Sequence, residues 1–94
     1  MIKKTLYFGN PAYLSLKLEQ LVIKTQRQED DGESLTRTIP IEDVGVVVLD
    51  HRQITITQGV MEKLLENNCA VITCDSRHLP VGLLLPLVGN TVQN

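Results

Sequence analysis

The chain has 94 residues, of which 43% are hydrophobic and 21% charged, a composition that fits one small globular domain with a modest core. It has no Trp, one Phe and two Tyr, so its core must be built from Leu, Val and Ile. The net charge of −2 excludes the overall basic field with which many proteins concentrate nucleic acid.

The charge is uneven along the chain. Residues 1–28 carry Lys3, Lys4, Lys17, Lys24 and Arg27 against Glu19 alone, while EDDGES at 29–34 holds four acids and no base. Any basic surface is therefore local to the first strands, and the plainest reading is two solvated faces of opposite sign. The N-terminus MIKKTLYFG lacks the apolar run and small-residue cleavage site of a signal peptide. Cys69 and Cys74 are accordingly expected as reduced thiols in the cytoplasm. The longest apolar run, VGLLLPLVG at 81–89, is too short to span a bilayer and contains Pro86, so no membrane association is expected.

TLYFGN (5–10) reads as a strand and NPAY as a turn, with Asn10 driven out of the helical region by Pro11. YLSLKL (13–18) alternates Leu14, Leu16 and Leu18 with polar residues, the period of a half-buried strand. A tight turn through LEQ leads into LVIKTQ (21–26), so residues 13–27 form an expected hairpin. The DG pair at Asp31-Gly32 marks a second hairpin that returns TRTIPI (36–41) against 21–26. Pro40 lacks an N–H, which places this strand at an edge or ends it there. In IEDVGVVVLD (41–50) the apolar run Val46–Leu49 suggests a strand buried on both faces, and ITIT (54–57) follows after a turn.

The period changes at QGVMEKLLENN. Val60, Met61, Leu64 and Leu65 draw one apolar stripe on a short helix over 58–68, with Thr57 as N-cap and Asn67-Asn68 at its end. CAVITC (69–74) returns to strand, Asp75 opens an Asx turn through SRH, and LPVGLLLPL (79–87) is a last extended segment. The expected fold is mainly β (α+β), sandwich-like, with about seven to nine strands and one short helix.

The densest cluster of reactive side chains is Cys69, Cys74, Asp75 and His78. A structural zinc site wants four Cys/His ligands, usually as two matched pairs, and C-x₄-C with one nearby His falls short. Five positions apart on one strand, the two thiols point to opposite faces. They read as small hydrophobes, and His78 as an exposed turn residue. No nucleophile elbow, Walker loop or dinucleotide fingerprint is present. Among the aromatics, Tyr13 beside the first turn is the best placed to be exposed and to stack on a base.

The run LLENNCAVITCDSRHLPVGLLLPL resembles a segment of the CRISPR-associated integrase, the DNA-cutting and DNA-joining subunit of the spacer-acquisition complex. The shared features are a helix ending in L-x-x-N (Leu65–Asn68), a hydrophobic strand ending in Cys-Asp (Ala70–Asp75), then His78-Leu79-Pro80 and an apolar tail. TLYFGNPAYLSLKLEQLVIK resembles the opening hairpin of type II members, and IPIEDVGVVVLD the strand that follows. The resemblance implies that residues 1–88 are the N-terminal β domain and 89–94 the start of a linker to a helical catalytic domain. In that family a Glu, a His and an Asp of the helical domain hold magnesium or manganese. No catalytic or metal-binding residue is therefore carried over to this chain. The resemblance further implies a homodimer, a small partner subunit and double-stranded DNA. The turn that braces the DNA where its strands separate corresponds to Asn10, Pro11 and Tyr13, with Lys17 nearby.

Two other readings compete. A freestanding, non-enzymatic β interaction module would be a natural product ending at Asn94. A metal-binding domain on Cys69, Cys74 and His78 would carry stoichiometric zinc.

Overall fold

The structure, a computed structural model, describes residues 3–26 and 34–87. Its elements are β1 (Lys4–Phe8), β2 (Ala12–Lys17), β3 (Gln20–Gln26), β4 (Ser34–Pro40), a 3₁₀ turn (Ile41–Asp43), β5 (Val44–Leu49), β6 (Ile54–Ile56), α1 (Gln58–Glu66), β7 (Ala70–Cys74) and β8 (Pro80–Leu84). Eight strands and one helix among the described residues match the mainly β expectation.

The strands form two four-stranded sheets, ordered β1-β5-β7-β8 and β4-β3-β2-β6. Within the first sheet β1, β5 and β7 run parallel, and β8 is antiparallel at the edge. In the second, β2, β3 and β4 form an antiparallel meander, with the short β6 parallel to β2. The parallel pairing is the main feature that strand periodicity does not disclose.

Each hairpin follows from its local chemistry. Lys17 pairs with Gln20, leaving Leu18 and Glu19 as a two-residue loop with φ of 52° and 62°. Positive φ at both loop residues is the twist that a right-handed hairpin needs, although Asn-Gly adopts it more readily than Leu-Glu. β4 pairs with β3 along its whole length and ends at Pro40 on the sheet edge, as the missing N–H requires. The Asp31-Gly32 tip lies outside the described residues, as does the linker at 89–94.

Val44 and Val47 are fully buried on β5, whereas Val46, Val48 and Leu49 are only half-buried. The strand is central, between β1 and β7, but one of its faces is covered incompletely. The helix starts where Thr57 Oγ1 accepts a hydrogen bond from the Val60 N–H at 3.3 Å, the N-cap geometry that satisfies an orphan donor of the first turn. It stops at Asn67, and Asn68 takes a left-handed φ of 67°.

One core joins the layers. Leu14, Leu21, Ile23 and Ile39 come from the second sheet, Val44, Val47 and Val71 from the first, and Val60 and Leu64 from the helix. The alternation on β2 sends Ala12 and Leu14 inward and leaves Tyr13 and Lys17 in solvent.

Candidate functional site

Because β1, β5 and β7 are parallel, their C-terminal ends lie at one pole of the domain. The segments leaving them, 9–11, 50–53 and 75–79, meet there. In sheets with parallel strands this end collects functional side chains, since the loops converge while the strands hold their bases rigid.

Asp50 is the centre of this pole. It follows β5 directly and is 4% exposed. Its backbone N–H donates to Phe8 O at 2.8 Å. Its carboxylate accepts the Tyr7 hydroxyl on Oδ2 at 2.5 Å and lies 2.9 Å through Oδ1 from His78 Nδ1. A buried carboxylate is costly unless its oxygens are satisfied, and here residues from β1 and from the β7–β8 turn supply the donors. The Tyr7 hydrogen bond, helped by His78, holds the Asp50 carboxyl below its ordinary range against the opposing effect of burial. The same bond raises the Tyr7 hydroxyl. Gly9 makes the geometry possible: a Cβ there would sit 2.9 Å from the Tyr7 ring.

The β7–β8 turn is built on Asp75, as expected of an Asx turn. Its Oδ1 accepts from the Arg77 and Leu79 N–H groups at 2.8 and 3.0 Å. His78 adopts a left-handed φ of 66° and is exposed, but its ring is anchored to Asp50. The expectation of an isolated surface histidine is thus corrected by a partner 28 residues away in sequence.

The cysteines face apart. Cys69 is fully buried, and burial pushes its thiol up to about 11. Cys74 is half-buried; partial burial and the neighbouring Asp50 and Asp75 carboxylates raise its thiol too. Among the described residues no group of three or more His, Cys, Asp or Glu side chains is placed to hold a metal ion.

The expected bracing residues occupy the neighbouring surface. Asn10 is exposed in a bend and Pro11 is half-buried. The Ala12 N–H reaches Gln53 O at 3.4 Å, so this turn borders the 50–53 loop of the same pole. Tyr13 is 45% exposed and pairs across the sheet with Lys24 on one side and Thr55 on the other. Lys17 shares that outer face but stands at the far end of β2, about 13 Å along the strand. The structure therefore brings Asn10, Pro11 and Tyr13 together and places Lys24, not Lys17, beside the tyrosine. The alternation of β2 against β3 was the signal for Lys24, once the hairpin register is fixed.

A second surface is apolar. Val81, Leu83 and Leu84 on the edge strand β8, and Leu85 and Leu87 beyond it, are all exposed. With Met61 and Leu65 of α1, residues 84–87 line a shallow groove of about 480 Å³. Contiguous apolar surface on a sheet edge marks a surface built to be covered. No helix among the described residues is long and apolar enough to cross a membrane.

Comparison with known proteins is consistent with this architecture. Residues 6–94 match the family model described as CRISPR associated protein Cas1. The CRISPR-associated endonuclease Cas1 of Neisseria meningitidis serogroup C is 35% identical over 86 residues, which is 92% of this chain and 26% of that protein. The chain thus spans about a quarter of the length of its curated relative. Among solved structures, a casposase bound to integration product superposes with a TM-score of 0.68 at 18% identity, covering 93% of this chain and 26% of that one. A partial Cas6-RT-Cas1–Cas2 complex gives a TM-score of 0.67 at 16% identity, covering 88% and 23%. At these identities the structural likeness speaks for the fold alone.

Proposed function

This chain belongs to the CRISPR-associated Cas1 family, and from that premise we propose that it forms the N-terminal β domain of a metal-dependent DNA endonuclease and integrase that inserts new spacers into CRISPR arrays. The observation that carries the reading is the 35% identity to a Cas1 endonuclease across 92% of the chain. Residues 1–88 are the domain, and 89–94 begin the connection to a helical catalytic region. The family resemblance implies that the magnesium or manganese of the reaction belongs to the helical region, so no chemical step is assigned to this domain. It acts in the cytoplasm by positioning and assembly.

DNA is positioned at the turn Asn10-Pro11-Tyr13. Tyr13 offers an exposed ring on a rigid strand, and Lys24 beside it supplies a cation for the phosphate backbone. Lys17 lies further along the same face. The apolar β8 edge supports the assembly role, because it gives a homodimer partner or the helical region a surface to cover. One superposed structure is a Cas1–Cas2 complex, which supports a small Cas2 subunit as the partner.

Expression of the full-length gene tests this. Its product, with magnesium or manganese and the partner subunit, should join a short forked duplex to a CRISPR repeat. Tyr13→Ala in that protein should weaken forked-duplex binding by roughly fivefold to a hundredfold, the loss of one stacked base. Unchanged binding would remove the bracing role, and a stop codon after Asn94 would leave a freestanding β module.

A further inference from the structure

The two faces of the first sheet are covered differently. Leu6, Val47 and Val71 are aligned across β1, β5 and β7, and each belongs to the core or packs against it. The adjacent rung is Tyr7, Val48, Ile72 and Leu83, aligned across all four strands. Strand alternation turns it to the outer face, and none of its four side chains is in the core or packed against it. Tyr7 and Leu83, at the two edges, are 63% and 56% exposed. Val48 and Ile72 between them are half-buried. The rung before it on the same face is Thr5, Val46 and Ala70. Neither rung contains a charged residue.

This face is apolar and firmly held. The Tyr7 hydroxyl donates to Asp50 Oδ2 at 2.5 Å, so its oxygen is committed and the ring is what the face presents. Parallel strands such as β1, β5 and β7 carry apolar side chains on both faces because both are ordinarily packed, usually by helices. Here the second sheet and α1 share the core with the inner face, and no described residue extends that core over the outer one.

Size decides what fits. Three strand spacings of about 4.8 Å, and the six residues of β5 at about 3.3 Å each, give a face of roughly 14 by 20 Å, or about 280 Å². A stable interface between two copies takes roughly 800 Å² from each partner. A helix is about 10 Å wide with its side chains and spans 20 Å in about 13 residues. An uncharged floor of this shape matches the apolar stripe of one amphipathic helix.

We propose that the outer face of the first sheet seats an amphipathic helix from the helical region of the full-length protein, packed along the strands over Tyr7, Val48, Ile72 and Leu83. This rests on the reading of the chain as the N-terminal domain of a longer protein. The helix completes a three-layer arrangement of helix, sheet and sheet. Its docking ties the catalytic region to the DNA-positioning domain by a packed surface, and not by the connecting segment alone.

The test uses the full-length protein, with thiol labelling and photo-crosslinking read by mass spectrometry. Leu83→Cys and Leu35→Cys place reporters at positions of similar exposure, 56% and 48%, on different sheets. The thiol at position 83 should react roughly tenfold more slowly than that at 35, because it waits for the helix to lift. A benzoylphenylalanine in place of Leu83 should crosslink within one chain, to a peptide beyond residue 94. Equal labelling rates overturn the proposal. So does a crosslink that joins residues 1–94 of two chains, which assigns the face to a second copy, or one to the small partner subunit. A gene product without a helical region defeats the underlying reading as well, and its mass shows this before any labelling.

Discussion

Alanine substitution of Leu14 and of Tyr13, taken separately, tests the two-faced reading of β2 on which any functional use of Tyr13 depends. The residues are adjacent, yet Leu14 is fully buried in the core and Tyr13 is 45% exposed on the outer face. Truncating a buried leucine removes its transfer free energy and leaves a cavity, at a cost of roughly 2–5 kcal/mol. A domain of this size has only about 5–14 kcal/mol in total. Each kcal/mol moves the melting temperature by roughly 4–8 °C, so a mid-range loss of about 3.5 kcal/mol lowers it by about 14–28 °C. Tyr13→Ala gives up only cross-strand contacts with Lys24 and Thr55, worth roughly 0.2–1 kcal/mol each, or about 5–10 °C at mid-range. Thermal melts followed by circular dichroism, with urea midpoints as a second measure, resolve the difference. Equal destabilisation by the two substitutions would refute the facing of β2. A fall in DNA binding by Tyr13→Ala could then no longer be separated from unfolding.

Three further outcomes follow from the geometry. Replacing Leu18 with Asn and Glu19 with Gly should stabilise the chain by about 1 kcal/mol in urea unfolding, because both positions hold positive φ; the exposed Glu19–Lys63 pair at 3.5 Å returns little when lost. The clasp between Tyr7 and Asp50 should give stability two pH edges. Asp50 titrates lower in the folded chain, so its contribution is present above the ordinary carboxyl value of about 4 and is lost as pH falls through the folded value; Tyr7 titrates higher, so its contribution is present below about 10 and is lost as pH rises through its folded value. Tyr7→Phe should remove the alkaline edge and shrink the acid one in urea midpoints measured across pH. Alkylation near neutral pH should label half-buried Cys74 well before Cys69, whose thiol is buried and pushed up to about 11, as mass spectrometry of the modified peptides would show.

What the amino-acid sequence revealed and what it withheld divide along the range of the interactions. The β2–β3 hairpin, the end of β4 at Pro40, the Thr57 cap and the Asp75 turn each rest on residues a few positions apart, and all are found where local chemistry put them. The parallel alignment of β1, β5 and β7 could not be read in that way, because apolar runs announce a strand without stating its direction or its partner. The site was lost with it. Tyr7 and His78 stand 43 and 28 positions from Asp50, so Asp50 read as the start of a turn and His78 as a surface residue. An available signal was the position of the acid: Asp50 and Asp75 each close an apolar strand run, Val44–Leu49 and Ala70–Cys74. Once such strands are parallel neighbours, residues in that position must share a pole. The cysteines show the converse, since strand alternation alone separates their side chains. The fold therefore parts Cys69 from its sequence neighbours Cys74, Asp75 and His78, while it assembles a cluster dispersed over 72 positions, Tyr7 to His78.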